Sequence, residues 1–148
     1  MTFTHEAGHI LGGWCCGGTL AEADLLPWHL PYSFFNPDPY PLITLWCGPM
    51  LGVIVPILIA LMLRHDWAWL VAHFCILANG AYIATAWFSG DPQLDTPKLL
   101  QHGAHPMTIM IYCVLTIVAG YIGFRRYCIR FFGRTALARP EPDGNAGG

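Results

Sequence analysis

Two histidines and a glutamate near the amino terminus have the spacing of a metal site. The sequence reads His5-Glu6-Ala7-Gly8-His9, which is the pattern H-E-x-x-H. On an α-helix, residues four positions apart lie on the same face, so both imidazoles can reach one ion. Zinc takes nitrogen ligands at about 2.0–2.1 Å. The spacing therefore predicts that His5 and His9 bind Zn²⁺ and that Glu6 holds a water molecule beside the ion and accepts its proton.

The composition indicates that this motif belongs to a membrane protein. The chain has 148 residues, of which 55% are apolar and 11% are charged, and its mean hydropathy is +0.46. A soluble domain carries about 25% charged residues. A net charge of −2 offers no basic surface for a nucleic acid. These values argue against a soluble enzyme, a nucleic-acid binder and a disordered chain, and they favour a small polytopic membrane protein.

Three apolar segments are long enough to cross a bilayer, which requires about 20 mostly apolar residues. None contains Asp, Glu, Lys or Arg, and they comprise residues 41–63, 67–88 and 106–124. A fourth apolar segment, residues 1–16, contains the H-E-x-x-H motif and is too short to span alone. We therefore predict an all-α helical membrane domain over residues 1–124, with three full spans and an amino-terminal motif helix. Residues 125–148 form a basic tail with a disordered end.

The distribution of arginines predicts the orientation of the chain. Positive residues near the ends of spans stay on the cytoplasmic side. Five arginines follow the last apolar segment: Arg125, Arg126, Arg130, Arg134 and Arg139. The prediction is a multi-pass protein whose carboxyl-terminal tail and Arg64 turn are cytoplasmic. Loops 17–40 and 89–105 then lie on the opposite side of the membrane.

The motif and its setting resemble a known family. His-Glu-Ala-Gly-His followed by Ile10-Leu11-Gly12-Gly13, on a polytopic apolar chain, is similar to the site-2-protease-like intramembrane zinc metalloproteases. Two short motifs carry the resemblance, which extends to about residue 124. It implies hydrolysis of a peptide bond within or next to a membrane segment, with a membrane protein or peptide as the substrate. It also implies that an aspartate near an Asn-containing stretch of a later helix is the third zinc ligand.

Two aspartates follow the segment that contains Asn79-Gly80. Asp91 lies three residues after residue 88 and is preceded by Gly90, whereas Asp95 lies in Leu94-Asp95-Thr96 and departs from the family's Leu-Asp-Gly at its last position. We favour Asp91 because its position is fixed by the end of the preceding helix. Asp95 is the alternative, and either residue could be an ordinary loop carboxylate. The expected zinc ligands are thus His5, His9 and Asp91.

Chain direction constrains the motif helix. Segments 1–16 and 67–88 are separated by one span, so two spanning helices there would be parallel. A helix beginning at Met1 would then place His5 and Asp91 on opposite membrane faces, about 30 Å apart. Either the natural chain begins upstream of Met1, or the motif helix is short, does not span and enters from the side of Asp91.

Several polar residues leave alternatives open. Asn79 can form an interhelical hydrogen bond or bind a substrate backbone, and His73 is more typical of a helix interface than of a ligand. His102 and His105 can be solvated or can orient the metal ligands. Cys15 stands where soluble metzincins have a third histidine. Alternative functions are a non-catalytic metal-binding membrane protein, such as a pseudoprotease, and a haem-binding membrane protein that uses His73.

Overall fold

The protein is a helical bundle with one small hairpin. The computed structural model describes residues 1–26 and 31–137. Five helices and two strands follow one another in these ranges: α1 (Thr2–Cys15), β1 (Leu20–Asp24), β2 (Tyr32–Phe35), α2 (Pro41–Leu63), α3 (Asp66–Ala86), α4 (Asp95–Gln101) and α5 (Pro106–Leu137). The predicted all-α membrane fold is confirmed. The end of the predicted tail, residues 138–148, lies outside the described residues.

Three of the helices are long and apolar enough to cross a membrane. They are α2, α3 and residues Pro106–Gly133 of α5. The ends of α2 coincide with the predicted segment 41–63, and α3 is displaced by one or two residues. Helix α5 continues well past residue 124, because the arginines that follow are good helix formers and no proline or capping glycine interrupts them. The first part of the basic tail is therefore helical.

The spans are joined so that neighbouring helices are antiparallel. Arg64 adopts a left-handed conformation (φ 53°) and its N–H bonds to the carbonyl of Ala60, which ends α2. Helix α3 packs along α5, where Gly80 faces Thr116. Beside them, the side chains of Ile83 and Leu99 are fully buried in a cluster that joins α3, α4 and α5. This cluster fixes α4 against the carboxyl end of α3.

Helix α1 packs closely along α2. A Cβ atom on Gly8 would collide with the carbonyl oxygen of Cys47, and one on Gly12 would lie 2.6 Å from the Cys47 Cβ. Small residues four apart allow such close approach between helices in membranes. Because Gly12 lies opposite Thr44 and Gly8 lies opposite Gly48, α1 is antiparallel to α2. The carboxyl end of α1 thus lies at the same end of the bundle as α4.

The segment between α1 and α2 contains a hairpin that the sequence analysis did not predict. Strands β1 and β2 are antiparallel, with Asp24 paired to Tyr32 and a register irregularity near Leu20. The hairpin is held on the bundle by Phe35, whose ring packs against Gly13 of α1. It therefore covers the end of the bundle where α1 and α4 lie.

We expect Gly8→Ala to destabilise the protein. The added methyl group meets the backbone of Cys47, which cannot rotate away, and overpacking of this kind typically costs about 1–3 kcal/mol. Gly133→Ala is the matched control, because a methyl group on Gly133 of α5 would have no atom within 4 Å and alanine is the better helix former by up to about 1 kcal/mol. Thermal unfolding in detergent micelles should show a lower Tm for Gly8→Ala alone. Equal Tm values for the two variants would contradict the close packing of α1 on α2.

Candidate metal centre

Two histidines of α1 meet one aspartate of α4. His5 and His9 are one helical turn apart, and their ring centroids are separated by 4.9 Å. Asp95 is the first residue of α4, and its Oδ2 lies 2.7 Å from His5 Nε2 while its Oδ1 lies 3.4 Å from His9 Nε2. The three residues are only 3%, 5% and 7% exposed, in the order His5, His9 and Asp95. Both carboxylate oxygens of Asp95 thus face an imidazole nitrogen.

The other nitrogen of each imidazole faces a carbonyl oxygen. His5 Nδ1 is 2.8 Å from Asn79 Oδ1, and His9 Nδ1 is 2.9 Å from the backbone oxygen of Thr44. A carbonyl oxygen accepts a hydrogen bond, so each Nδ1 carries a proton, and Nε2 is the nitrogen of each ring that can bind a metal. Within the described part of the chain, His9 Nε2 is buried without a hydrogen-bond partner. Two imidazole Nε2 atoms and a carboxylate that converge in this way are a donor set that suits zinc.

Glu6 completes the cluster. One ligand atom from each of His5, Glu6 and His9 lies within 4.8 Å of the others, so these three residues could hold a metal ion. The Glu6 side chain is buried, and the Ser33 hydroxyl of β2 donates to its Oε2 over 3.3 Å. The hairpin therefore reaches the cluster through one serine.

The surroundings of Asp95 and Glu6 shift the pKa values of their carboxyl groups in opposite directions. Burial alone would raise the pKa of Asp95, but the imidazoles of His5 and His9 beside its carboxylate hold that pKa well below its usual range. Burial raises the pKa of Glu6, and the neighbouring His9 and His5 only partly oppose this rise. Asp95 is therefore the carboxylate that stays ionised, which is the form that ligates a metal. Glu6 has the greater affinity for a proton.

A cavity connects the cluster to the surroundings. Its volume is about 730 Å³, and it lies between the hairpin, α4 and the ends of α1 and α2. Glu6, His9 and Asp95 line its inner wall, and β2 forms the opposite wall, where Lys98 Nζ lies 5.2 Å from the centre of the Phe34 ring. Ligand-binding clefts typically measure about 300–1,000 Å³. The cluster is thus open to a cleft of the size that ligand-binding sites have.

The structure does not bring Asp91 to the histidines. Asp91 is exposed, and its Oδ1 accepts a hydrogen bond from the backbone N–H of Gln93 over 2.8 Å. The alternative residue, Asp95, occupies the position next to His5 and His9. The physical reason is that the chain reverses after α3, through Gly90 at φ +73°. The Thr96 hydroxyl then donates to the carbonyl of Ile83 over 2.6 Å, which returns Asp95 to the level of the last turns of α3.

The remaining polar residues occupy different environments. Asn79 makes interhelical hydrogen bonds, one of its two predicted roles. The imidazole of His73 contacts the rings of Trp69 and Tyr127 at a helix interface, with centroid distances of 5.9 and 5.6 Å. His102 and His105 are exposed, as expected for solvated histidines.

Sequence reasoning missed several partners of the cluster. Tyr82 packs edge-on against His5 with ring centroids 5.5 Å apart and lines the cavity. Ser33 lies on a hairpin that was not predicted, and the partner of His9 is a backbone oxygen. A backbone oxygen has no residue-specific pattern in a sequence, so nothing could have identified Thr44.

Comparisons with known proteins return no relative. No family model, no curated protein and no solved structure matches the chain. The resemblance to the site-2-protease-like family therefore stays a prediction that depends on the motif residues and on their arrangement.

We expect Asp95→Ala to abolish tight zinc binding and Asp91→Ala to leave it unchanged. Asp95 is the carboxylate that faces both histidines, whereas Asp91 bonds to its own loop. The affinity lost in Asp95→Ala should exceed the about 10–100-fold that follows from losing an outer partner of a ligand. Zinc titration of purified protein against a chromophoric chelator measures both variants. A weaker zinc affinity in Asp91→Ala than in Asp95→Ala would show that Asp91 is the ligand.

Proposed function

We propose that this protein is a zinc-dependent membrane endopeptidase that hydrolyses a peptide bond within or near a membrane segment. The observation that carries the proposal is the convergence of His5, His9 and Asp95 with the Glu6 carboxylate on one wall of a cleft. The same chain has three helices that could span a membrane. The sequence motif alone would not distinguish it from an exposed helix with the same residues.

Each residue of the cluster has a defined role in this proposal. His5, His9 and Asp95 would hold the metal through two nitrogen atoms and one carboxylate. A zinc ion held there would supply a Lewis acid for a substrate carbonyl and for a water molecule, whose pKa zinc lowers to about 7. The protein supplies a buried site in which His5 and His9 each make a further hydrogen bond, to Asn79 and to the backbone oxygen of Thr44.

Glu6 is the proposed general base. It follows His5 directly in the helix, so its carboxylate lies beside both histidines, and in this proposal Asp95 supplies the carboxylate ligand. Its raised pKa favours acceptance of a proton from the attacking water and later delivery of that proton to the leaving amine. The hydrogen bond from Ser33 orients one carboxylate oxygen, which leaves the other available.

The depth of the cluster fits a substrate bond close to the membrane surface. Thr44, which bonds to His9, is the fourth residue of α2, and a helix rises about 1.5 Å per residue. The cluster thus lies roughly one turn inside the end of the bundle. A peptide bond at the end of a membrane segment would reach it through the cleft between α4 and the hairpin.

The non-catalytic metal-binding alternative shares the same ligands and differs only at Glu6. A buried carboxylate next to two ligand histidines, facing a cleft, is needed for hydrolysis and not for storage of a metal ion. This placement favours the endopeptidase. The haem alternative has less support, since the described ring contacts of His73 are the side chains of Trp69 and Tyr127.

The orientation in the membrane is part of the proposal. Arg64 lies at the end of the bundle opposite α4, and Arg130 pairs with Asp66 over 3.3 Å at that same end. If positive residues mark the cytoplasmic side, the carboxyl-terminal tail is cytoplasmic and the cleft opens on the other side. A fluorescent protein fused after Gly148 should then fluoresce in cells, while alkaline phosphatase fused there should be inactive. An active phosphatase fusion would reverse the orientation.

The test of the endopeptidase is Glu6→Gln. Glutamine keeps the size and hydrogen bonding of the side chain but cannot take the proton, so cleavage of a membrane-segment peptide in proteoliposomes should fall by at least about 10²-fold. Zinc content should remain near that of the wild-type protein. The matched control is Glu22→Gln, since Glu22 lines the same cleft and bonds to Tyr32 rather than to the histidines.

Two results would contradict the proposal. Undiminished cleavage in Glu6→Gln would require a different base. Zinc binding that survives both His5→Ala and His9→Ala would place the metal elsewhere in the protein.

A further inference from the structure

Asn79 is a buried polar residue in the middle of a candidate membrane span. None of its surface is exposed, and it contacts one residue from each of three other helices. Its Oδ1 lies 2.8 Å from His5 Nδ1, and its Nδ2 lies 2.8 Å from the carbonyl oxygen of Pro49 and 2.7 Å from Tyr112 Oη. Polar groups inside membrane helices are costly and mostly functional. The contacts of Asn79 therefore indicate a role beyond joining helices.

The contacts define which way the amide of Asn79 points. The carbonyl of Pro49 can only accept a hydrogen bond, so the Asn79 NH₂ group must face it. The hydroxyl of Tyr112 donates its own proton to that same carbonyl over 2.8 Å, so it accepts from Asn79. Rotation of the amide would place two oxygens against each other at Pro49. The Asn79 oxygen is thereby directed at His5.

An oxygen at this position determines which ring nitrogen of His5 carries a proton toward Asn79. Only a proton on Nδ1 can satisfy Asn79 Oδ1, so Nε2, which lies 2.7 Å from Asp95 Oδ2, is the nitrogen of His5 that can bind a metal. His9 Nδ1 likewise donates a hydrogen bond to the backbone oxygen of Thr44. His5 thus differs from His9 in that a side chain, and not the backbone, sets its ring.

We propose that Asn79 is a positioning residue for the metal ligand His5, held in place by Tyr112 and by the carbonyl of Pro49. It fixes the Nδ1–H form of the imidazole and the direction of its Nε2, and it lies outside the set of metal ligands. This role rests on the proposed zinc site, to which it adds an outer partner. The orientation of one ligand is thus controlled from α2, α3 and α5 together.

Three variants separate this role from a purely structural one. Asn79→Leu removes the acceptor and the donor, whereas Asn79→Asp keeps an acceptor for His5 and loses the donor to Pro49. Thr116→Val is the control, because the Thr116 hydroxyl bonds only to carbonyls of its own helix in the described contacts. The full-length protein in detergent micelles is titrated with Zn²⁺ and with Co²⁺ against a chromophoric chelator.

The positioning role predicts a specific order of affinities. Asn79→Leu should bind zinc about 10–100-fold more weakly, as expected for loss of an outer partner of a ligand. Asn79→Asp should restore the affinity to near that of the wild-type protein even where its Tm is lower, and Thr116→Val should be unchanged. Tyr112→Phe, which only loosens Asn79, should fall between wild type and Asn79→Leu. A role limited to joining helices predicts instead that Asn79→Asp binds zinc as weakly as Asn79→Leu, and this result would overturn the proposal.

A second measurement does not depend on helix packing. In zinc-loaded protein with ¹⁵N-labelled histidine, His5 should carry a proton on Nδ1 that exchanges slowly with water in the wild-type protein and in Asn79→Asp. That proton should exchange rapidly in Asn79→Leu. An Nδ1 proton that is insensitive to Asn79→Leu, or zinc on Nδ1 in place of Nε2, would overturn the positioning role.

The two proposals fail in different ways. If the wild-type protein binds no zinc, or if His9→Ala binds it normally, the metal site and the role of Asn79 are both wrong. If zinc binding depends on His5 and His9 and cleavage depends on Glu6, but Asn79→Leu has wild-type affinity, only the role of Asn79 is wrong.

Discussion

The approach of the Asp95 carboxylate to two imidazoles is the interaction on which the rest of the site depends. A buried carboxylate is costly unless it is paired and hydrogen-bonded, and Asp95 is only 7% exposed. Its partners are residues 86 and 90 positions earlier in the chain, in a different helix. Helix α4 can hold this charge in the interior only because α1 supplies both imidazoles at the same level. Helices α1 and α4 are therefore joined chiefly by the chemistry of the site.

The close contact between α1 and α2 serves the same interaction. Helices in a membrane have little hydrophobic driving force to associate, so small residues that permit close packing are decisive. A Cβ on Gly48 would occupy the place of the His9 imidazole, and the carbonyl of Thr44, one turn earlier, accepts the His9 hydrogen bond. Helix α2 thus gives His9 both its space and its direction. Neither contribution involves a side chain of α2, because Gly48 leaves space for the ring and Thr44 contributes its backbone oxygen.

Much of the helical framework could be predicted from the sequence, and less of the site. The uninterrupted apolar segment predicted both ends of α2 correctly, and the i, i+4 spacing predicted that His5 and His9 lie together. Both features depend only on residues close in the sequence. The position of Asp91 or Asp95 depends instead on how the chain turns after α3. Asp91 is nearer to the end of α3, but the bond from Thr96 to Ile83 folds the chain back and brings the later aspartate inward. Leu94-Asp95 matches two of the three positions of Leu-Asp-Gly, so the sequence did carry a signal at the aspartate that faces the histidines. The hairpin went unpredicted because its two strands are short and lie in a Gly- and Pro-rich connection.

The order of the cluster residues along the chain has a consequence for biosynthesis. His5, Glu6 and His9 leave the ribosome well before their partner Asp95, which follows 90 residues after His5, and Tyr112, which holds Asn79, emerges later still. Helix α1 by itself offers His5, Glu6 and His9 without the Asp95 carboxylate and without the cleft. The proposed site would therefore be complete only after α4 and the last span have been made.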